Sequence, residues 1–564
     1  MRTRQRTAAD RPRAVFLAAF VAFFAAIAVW SIATPLMASP DEPVHVAKAA
    51  AVVRGEWTGR LIPDGSIGLQ SSPLGVVRIP AAYANLGDLV HCYQFDADKP
   101  ASCAPPYHGS SKTVDDTIYN ARYQPLYYAI VGLPSLLTDS ATGIYLMRLV
   151  SAALSALFLA LAVMAAVTWS RSRLLLAGVI VASTPSVLFF AGVVNPNGFE
   201  ISLSICLWTS ALILAMERLR HPPLGLVALV SVSAGVEALV RSLSPFWVVL
   251  TLLAALTVAD WKELSSFLRS RRAWAGGAFA VVCGALGTAW IITEHSLNVL
   301  PPSSPVPRSV GEGHLLVLAF LRTSGYYSEM LSRFGWLVAP SPYLTYLLFT
   351  MLLGWLAFGA LGTASARRIT VLLATVVAVV VIPVLISAAQ AHRLGITWQG
   401  KDTLPLAVGV PILAATLIAN SSLAEVRVFR TRSVGLVAVT AAIAIVTALW
   451  GDLRRNAVGD AGPNLSFLHA AWQPPLGIAG VFIFGLVATG ALATMFAVLG
   501  TPPPLPRSRS RVSYLAPGTA SPAGPASPAS PVALDALDAL DPTPGSDEPA
   551  RLQSVESDKG ADDA

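Results

Sequence analysis

The chain has 564 residues, of which 54% are hydrophobic and only 13% charged, with a formal net charge of +7 and a mean hydropathy of +0.61. A soluble domain carries about 25% charged residues, so a water-dissolved globule is excluded and the solvent for much of the chain is lipid. The basic excess reports orientation beside apolar runs; it is not a nucleic-acid footprint.

Apolar runs of about the 20 residues needed to cross a bilayer recur along the sequence. The first, 13–37, follows the basic stretch MRTRQRTAADRPR. A cleaved signal peptide is the alternative, but the run exceeds the usual h-region of about 7–15 residues. An uncleaved anchor is expected. Further spans are predicted at 143–168, 173–194, 198–216, 223–240, 244–259 and 273–292, then at 342–363, 369–389, 403–420, 433–450 and 475–499. The expectation is an all-α polytopic membrane protein of about twelve spans. A basic cytoplasmic N-terminus (1–12) precedes a transmembrane domain (13–500). That domain carries two large extracytoplasmic loops, 38–142 and 293–341, the first of them structured.

Charge tests this parity independently. With the N-terminus inside, the inner connections hold Arg171 and Arg173, then Arg218 and Arg220, then Lys262, Arg269, Arg271 and Arg272. Later ones hold Arg367 and Arg368, then Arg427, Arg430 and Arg432, then Arg507, Arg509 and Arg511. Every short connection assigned to the cytoplasm is basic, as the positive-inside rule requires. Both termini are thus expected in the cytoplasm and the chain in the plasma membrane.

Within the first loop, YQPLYYAIVGLPSLL (123–137) is apolar but too short to span. It reads as interfacial or re-entrant, with tyrosines at headgroup level. From 501 onward a Pro-, Ala- and Ser-rich stretch with an acidic end reads as a disordered cytoplasmic tail. Cys206 and Cys283 fall in predicted spans. Cys92 and Cys103 lie in the first loop, where an oxidising exterior permits a disulfide. A metal site with His91 and His108 is the alternative, although the spacing fits no ordinary zinc pattern.

Three groups of residues could carry chemistry. After the first span comes SPDEPVH, with Asp41, Glu42 and, one helical turn on from Asp41, His45. Acids before Pro43 suit a helix start. Equally, a carboxylate partly desolvated at the membrane boundary suits a general base, which His45 could orient. Cations assigned to the outer face form the second group: Arg54, Arg60, Arg78, Arg122 and Arg148, then Arg241, Arg322, Arg333, Arg393 and Lys401. They are natural phosphate partners, although Glu237 with Arg241 and Glu329 with Arg333 stand at the i,i+4 spacing of structural ion pairs. The third group is VNPNGFEIS, where Asn195 and Asn197 suit helix caps and Glu200 is a carboxylate inside a span, functional by default.

Six short segments, SPDEPVH, YQPLYY, YLMRLVSA, VNPNGFEIS, FGWLVAPSP and WQGKDTLPL, together resemble the domain of unknown function 2142 family of bacterial membrane proteins, over roughly residues 30 to 420. The family is grouped with GT-C-type glycosyltransferases. The resemblance implies a GT-C-like fold and transfer of sugar from a polyprenyl-phosphate donor to a cell-envelope glycan or lipid acceptor on the outer leaflet. It implies a catalytic base at Asp41 or Glu42, with Asp41 favoured and His45 beside it. Substrate-binding candidates are Arg122, Tyr123, Arg148, Asn195, Asn197, Glu200, Arg393, Gln399 and Lys401. Where relatives read Gln-Gly-Arg-Tyr, this chain has Gln399, Gly400, Lys401 and Asp402, exchanging a bidentate fork for a point charge. No cofactor is required, although a divalent metal at Asp41 and Glu42 is conceivable chemistry. A transporter or flippase of lipid-linked saccharide is the competing expectation; it predicts functional groups near the bilayer midplane and paired broken helices.

Overall fold

The computed structural model describes residues 11–61, 74–217, 219, 221–298, 305–426, 432–465 and 467–501. The N-terminal stretch 1–10 and almost all of the tail assigned from 501 onward lie outside the described residues, as do Arg218, Arg220, Arg427 and Arg430.

Helix α1 (Pro12–Ala33) is an unbroken apolar run with Pro12 in its first turn. It ends just before Thr34-Pro35, because the residue preceding a proline is pushed out of helical geometry. Helix α2 (Glu42–Val52) follows at once and is almost wholly buried. A three-stranded antiparallel sheet comes next: β1 (Arg60–Leu61), β2 (Gly75–Pro80) and β3 (Thr113–Ile118), with β2 central. Cys92 and Cys103 are joined in a disulfide within the β2–β3 connection. A mostly helical chain therefore carries a small β element, and the first loop is a folded cap.

The apolar segment 123–137 supplies α3 (Leu126–Val131) and a short 3-10 turn. It packs on α2 and on the long helix α4 (Ala141–Trp169). Tyr127 and Tyr128 are fully buried. They belong to the protein interior and not to a headgroup belt, because α2 and α4 cover them.

The rest is a helical bundle: α5 (Leu175–Ala182), α6 (Pro185–Ala191), α7 (Pro196–Met216), α8 (Leu224–Glu237), α9 (Ser244–Val258), α10 (Trp261–Leu268) and α11 (Arg271–Thr293). Two short helices, α12 (Glu312–Leu321) and α13 (Thr323–Ser332), precede the hairpin β4 (Arg333–Phe334) and β5 (Ala339–Pro340). Then come α14 (Tyr343–Leu361), α15 (Ala366–Leu394), α16 (Gly400–Ala407), α17 (Gly409–Ala419) and the helices Ser433–Val458 and Gly477–Gly500.

Nine helices among the described residues are long and apolar enough to cross a membrane, counting α16 and α17 as one. The other three predicted spans fall on shorter or broken apolar helices. These are α5 with α6, interrupted at Ser183-Thr184-Pro185, and α8 and α9, of 14 and 15 residues. The chain is a multi-pass membrane protein.

Candidate functional site

Asp41 is the N-cap of α2, held at φ +65° in the left-handed region, which Asp tolerates better than most residues. Its Oδ1 accepts a hydrogen bond from Tyr119 Oη at 2.7 Å. Its Oδ2 is ion-paired with the Lys401 ammonium, 360 residues away in sequence. Lys401 is 4% and Asp41 19% exposed in their side chains. Burial is the largest single influence and pushes Asp41 up, but the Lys401 charge, His45 and the hydrogen bonds from Lys401 and Tyr119 together outweigh it and hold the carboxyl at about 2.

Lys401 reaches Asp41 because α16 is fixed at its start. The Gly400 amide donates to Glu329 Oε2 at 2.6 Å, and a Cβ on Gly400 would lie 2.6 Å from the Tyr326 carbonyl oxygen. Only glycine allows that approach. Asp402 Oδ2 accepts from the Gln399 amide at 3.2 Å, capping the helix.

His45 lies one turn along α2, but its ring does not bridge to Asp41. Its Nδ1 faces Tyr128 Oη at 2.8 Å and Asn120 Nδ2 at 3.1 Å. An amide nitrogen only donates, so Nδ1 is the acceptor and the proton sits on Nε2. Burial lowers His45 to about 3, the Asp41 charge opposing and Lys401 and Arg241 adding to the shift. The imidazole is neutral.

Asp41, His45, Tyr119, Tyr123, Asn197, Arg241, Gln390, Trp398, Gln399, Lys401 and Asp402 line one cavity of about 150 Å³. Arg241 bridges Glu200 and Asp402 at 3.2 Å each, and Ser244 Oγ donates to Glu200 at 2.6 Å. Arg241 therefore turns away from the i,i+4 pairing with Glu237, whose Oε1 accepts from Ser204 instead. Glu329 likewise serves the Gly400 amide while Arg333 donates to the Leu337 carbonyl.

Asn197, one of the first residues of α7, is 1% exposed, and its Nδ2 has no hydrogen-bond partner. Asn195 caps α7 by accepting from the Asn197 amide at 3.0 Å, and its own Nδ2 donates to the Pro40 carbonyl at 3.1 Å. It stitches α7 to the segment leading into Asp41 and does not line the cavity.

Glu42 has a different fate. Arg148 grips it bidentately, Nε to Oε1 at 2.7 Å and Nη2 to Oε2 at 2.6 Å, both side chains wholly buried. The Val194 amide also donates to Glu42 at 3.1 Å. The remaining Arg148 donors reach the carbonyls of Ser31, Thr34 and Pro35. This pair binds the end of α1 to α2, α4 and the start of α7.

Of the other sequence candidates, Arg122 donates to the Glu294 carbonyl at 3.0 Å. Arg393 sits exposed in the last turn of α15. Neither lines the cavity. A divalent ion shared by Asp41 and Glu42 does not fit this geometry, since the two carboxylates are committed to different cations. Among the described residues no cluster of three His, Cys, Asp or Glu side chains is placed to hold a metal. Sequence reading missed Tyr119, Asp402 and the engagement of Arg241 with the cavity. It also missed Lys48, wholly buried in α2, whose ammonium donates to the carbonyls of Trp57 and Ala121. Burial lowers Lys48 to about 7, against the pull of Glu294.

The family model described as predicted membrane protein (DUF2142) matches residues 23–410. That is more than half of the chain, and the chain belongs to this family. No curated protein and no solved structure matches it.

Proposed function

We propose that this DUF2142 member is a GT-C-like membrane glycosyltransferase. It moves sugar from a polyprenyl-phosphate donor to a cell-envelope glycan or lipid acceptor, with the Asp41 cavity as its active site. The observation that carries this reading is convergence. Segments scattered over residues 39–406 meet around the start of α2: Asp41 and His45, Tyr123 and Tyr128, Arg148, Asn197 and Glu200, and Lys401 with Asp402. The sixth, the β4–β5 hairpin, sends Trp336 Nε1 to the Met37 carbonyl at 3.1 Å.

In this mechanism Asp41 accepts the proton of an acceptor hydroxyl as that oxygen attacks the anomeric carbon. The bond from that carbon to the phosphate oxygen breaks with inversion, and polyprenyl phosphate departs. Lys401 and Arg241, the two cations that line the cavity, meet its charge, and the candidates Arg122 and Arg393 lie outside the lining. Fixed charges in a water-poor site are a large catalytic term. Glu42 takes no part, its oxygens being committed to Arg148, and no step requires a metal.

The basic connections support a reading in which the first-loop cap faces the extracytoplasmic side of the plasma membrane and α5–α6, α8 and α9 complete twelve crossings. The ionisable groups of the cavity gather at the cap end of the helices, which favours surface chemistry over alternating access around a midplane site. Deleting the gene in its host tests the reading. The expected result is loss of one envelope sugar with build-up of its lipid-linked donor. Unchanged glycans and unchanged lipid-linked sugars would overturn it.

A further inference from the structure

A base locked in an ion pair at about 2 cannot accept a proton efficiently near neutrality, where a useful base has an affinity matched to the working pH. The cavity holds two cations, and they differ in how they are held. Arg241 lies between two carboxylates, Glu200 and Asp402. Ser244 buttresses the first of these, and the second is occupied in capping α16. Moving Arg241 would strand both. Lys401 has its ion pair with a single carboxylate, Asp41, and swings on a flexible four-carbon stem. The Asn197 Nδ2 donor in the same wall is buried and unpartnered. An orphaned buried donor costs about 1–3 kcal/mol, which an entering acceptor oxygen would relieve.

We propose that Lys401 is a phosphate-operated latch on Asp41: a substrate phosphate entering the cavity draws the Lys401 ammonium onto itself and so releases the Asp41 carboxylate as a base. The latch rests on the reading of the cavity as a polyprenyl-phosphate sugar site and adds its order of events, donor first and base second. The other groups facing Asp41, His45 and Tyr119, also hold it down, each by less than the Lys401 charge does. Tyr119 holds Oδ1 in either state, and the His45 ring is neutral and occupied by Tyr128 and Asn120. Across the cavity Tyr123 is uncharged, pushed up to about 12 by burial, while Arg241 and Asp402 compensate each other. Loss of the Lys401 contact and arrival of a negative phosphate therefore act in the same direction, raising the proton affinity of Asp41. An idle site keeps its base neutralised; a loaded one exposes it.

The test uses the full chain in lipid nanodiscs, with geranyl phosphate as probe. Binding is measured by calorimetry. Protonation of Asp41 is read by peptide mass spectrometry as its modification by dicyclohexylcarbodiimide, which attacks protonated carboxyls. Geranyl phosphate should raise the pH midpoint of Asp41 modification by about one to three pH units, the usual effect of removing an adjacent opposite charge. In Lys401→Met the midpoint should start high and respond less to the probe than the wild-type midpoint does. Binding with an unchanged wild-type midpoint overturns the latch and leaves the donor reading standing. A low midpoint in folded Lys401→Met also overturns it. Absence of any binding removes the phosphate-donor reading itself, and the latch with it.

Discussion

Asp41 and Glu42 are adjacent in sequence and opposite in circumstance. Glu42 meets a guanidinium whose five N–H donors are all used, two on the carboxylate and three on carbonyls at the end of α1. Nothing is left over for a ligand, and both side chains are sealed. Asp41 meets a flexible ammonium and a phenol at the edge of a cavity. An interior ion pair with every donor and acceptor satisfied is a structural clamp; one that borders open space is available for chemistry. The dipeptide does not distinguish these roles. What each side chain touches does.

The sharpest way to break the contrast is to remove the clamp. Arg148→Ala strands a buried carboxylate and should cost about 3–5 kcal/mol, read as lost folded protein in size-exclusion and thermal unfolding. Arg148→Lys should not rescue it, because an ammonium cannot supply the planar fork. Ordinary thermal stability in Arg148→Ala would mean that Glu42 is not clamped. Opening the disulfide with Cys92→Ser should cost about 2–3 kcal/mol for so short a ring. The loss should appear as faster proteolysis within the β2–β3 connection while the Glu42 clamp persists.

Acidity probes the other side. Both Asp41 and His45 are depressed in the fold, to about 2 and about 3. Depressed groups stabilise fully above their unfolded values and lose that contribution as pH falls through the folded ones. Thermal stability should therefore decline from about pH 6.5 downward, His45 first and Asp41 only below about pH 4. His45→Gln should flatten the first part of that decline; an unchanged profile would contradict a buried neutral imidazole. Smallest is Tyr119→Phe, expected to cost about 1 kcal/mol while raising the pH at which Asp41 protonates.

Much of the bundle could be read from the chain because lipid imposes a length and composition on each crossing, and those are local properties. The bounds of α4, α11 and the last helix follow from that rule to within about two residues, whereas α1 stops earlier and the helix from Ser433 runs on to Val458. The break at Ser183-Thr184-Pro185 and the brevity of α8 and α9 were hidden, since hydropathy does not register where a helix stops inside an apolar run. Asp41 stood out as an acid at a boundary. Its partner did not, because a Lys–Asp contact across 360 residues leaves no periodicity. Arg241 looked committed to Glu237 by helical spacing, yet α8 ends at Glu237 and the chain turns before Arg241. The i,i+4 rule holds only where the helix continues.

Asp41→Asn gives the most direct reading of the site. Membranes holding equal amounts of folded wild-type and mutant chain would be supplied with a panel of labelled polyprenyl-phosphate sugars and an envelope acceptor fraction. Asp41→Asn should fold normally and lose transfer by about 10²–10⁴-fold, the usual worth of a positioned base. Wild-type turnover by the folded mutant would contradict the assignment of this cavity as the catalytic centre.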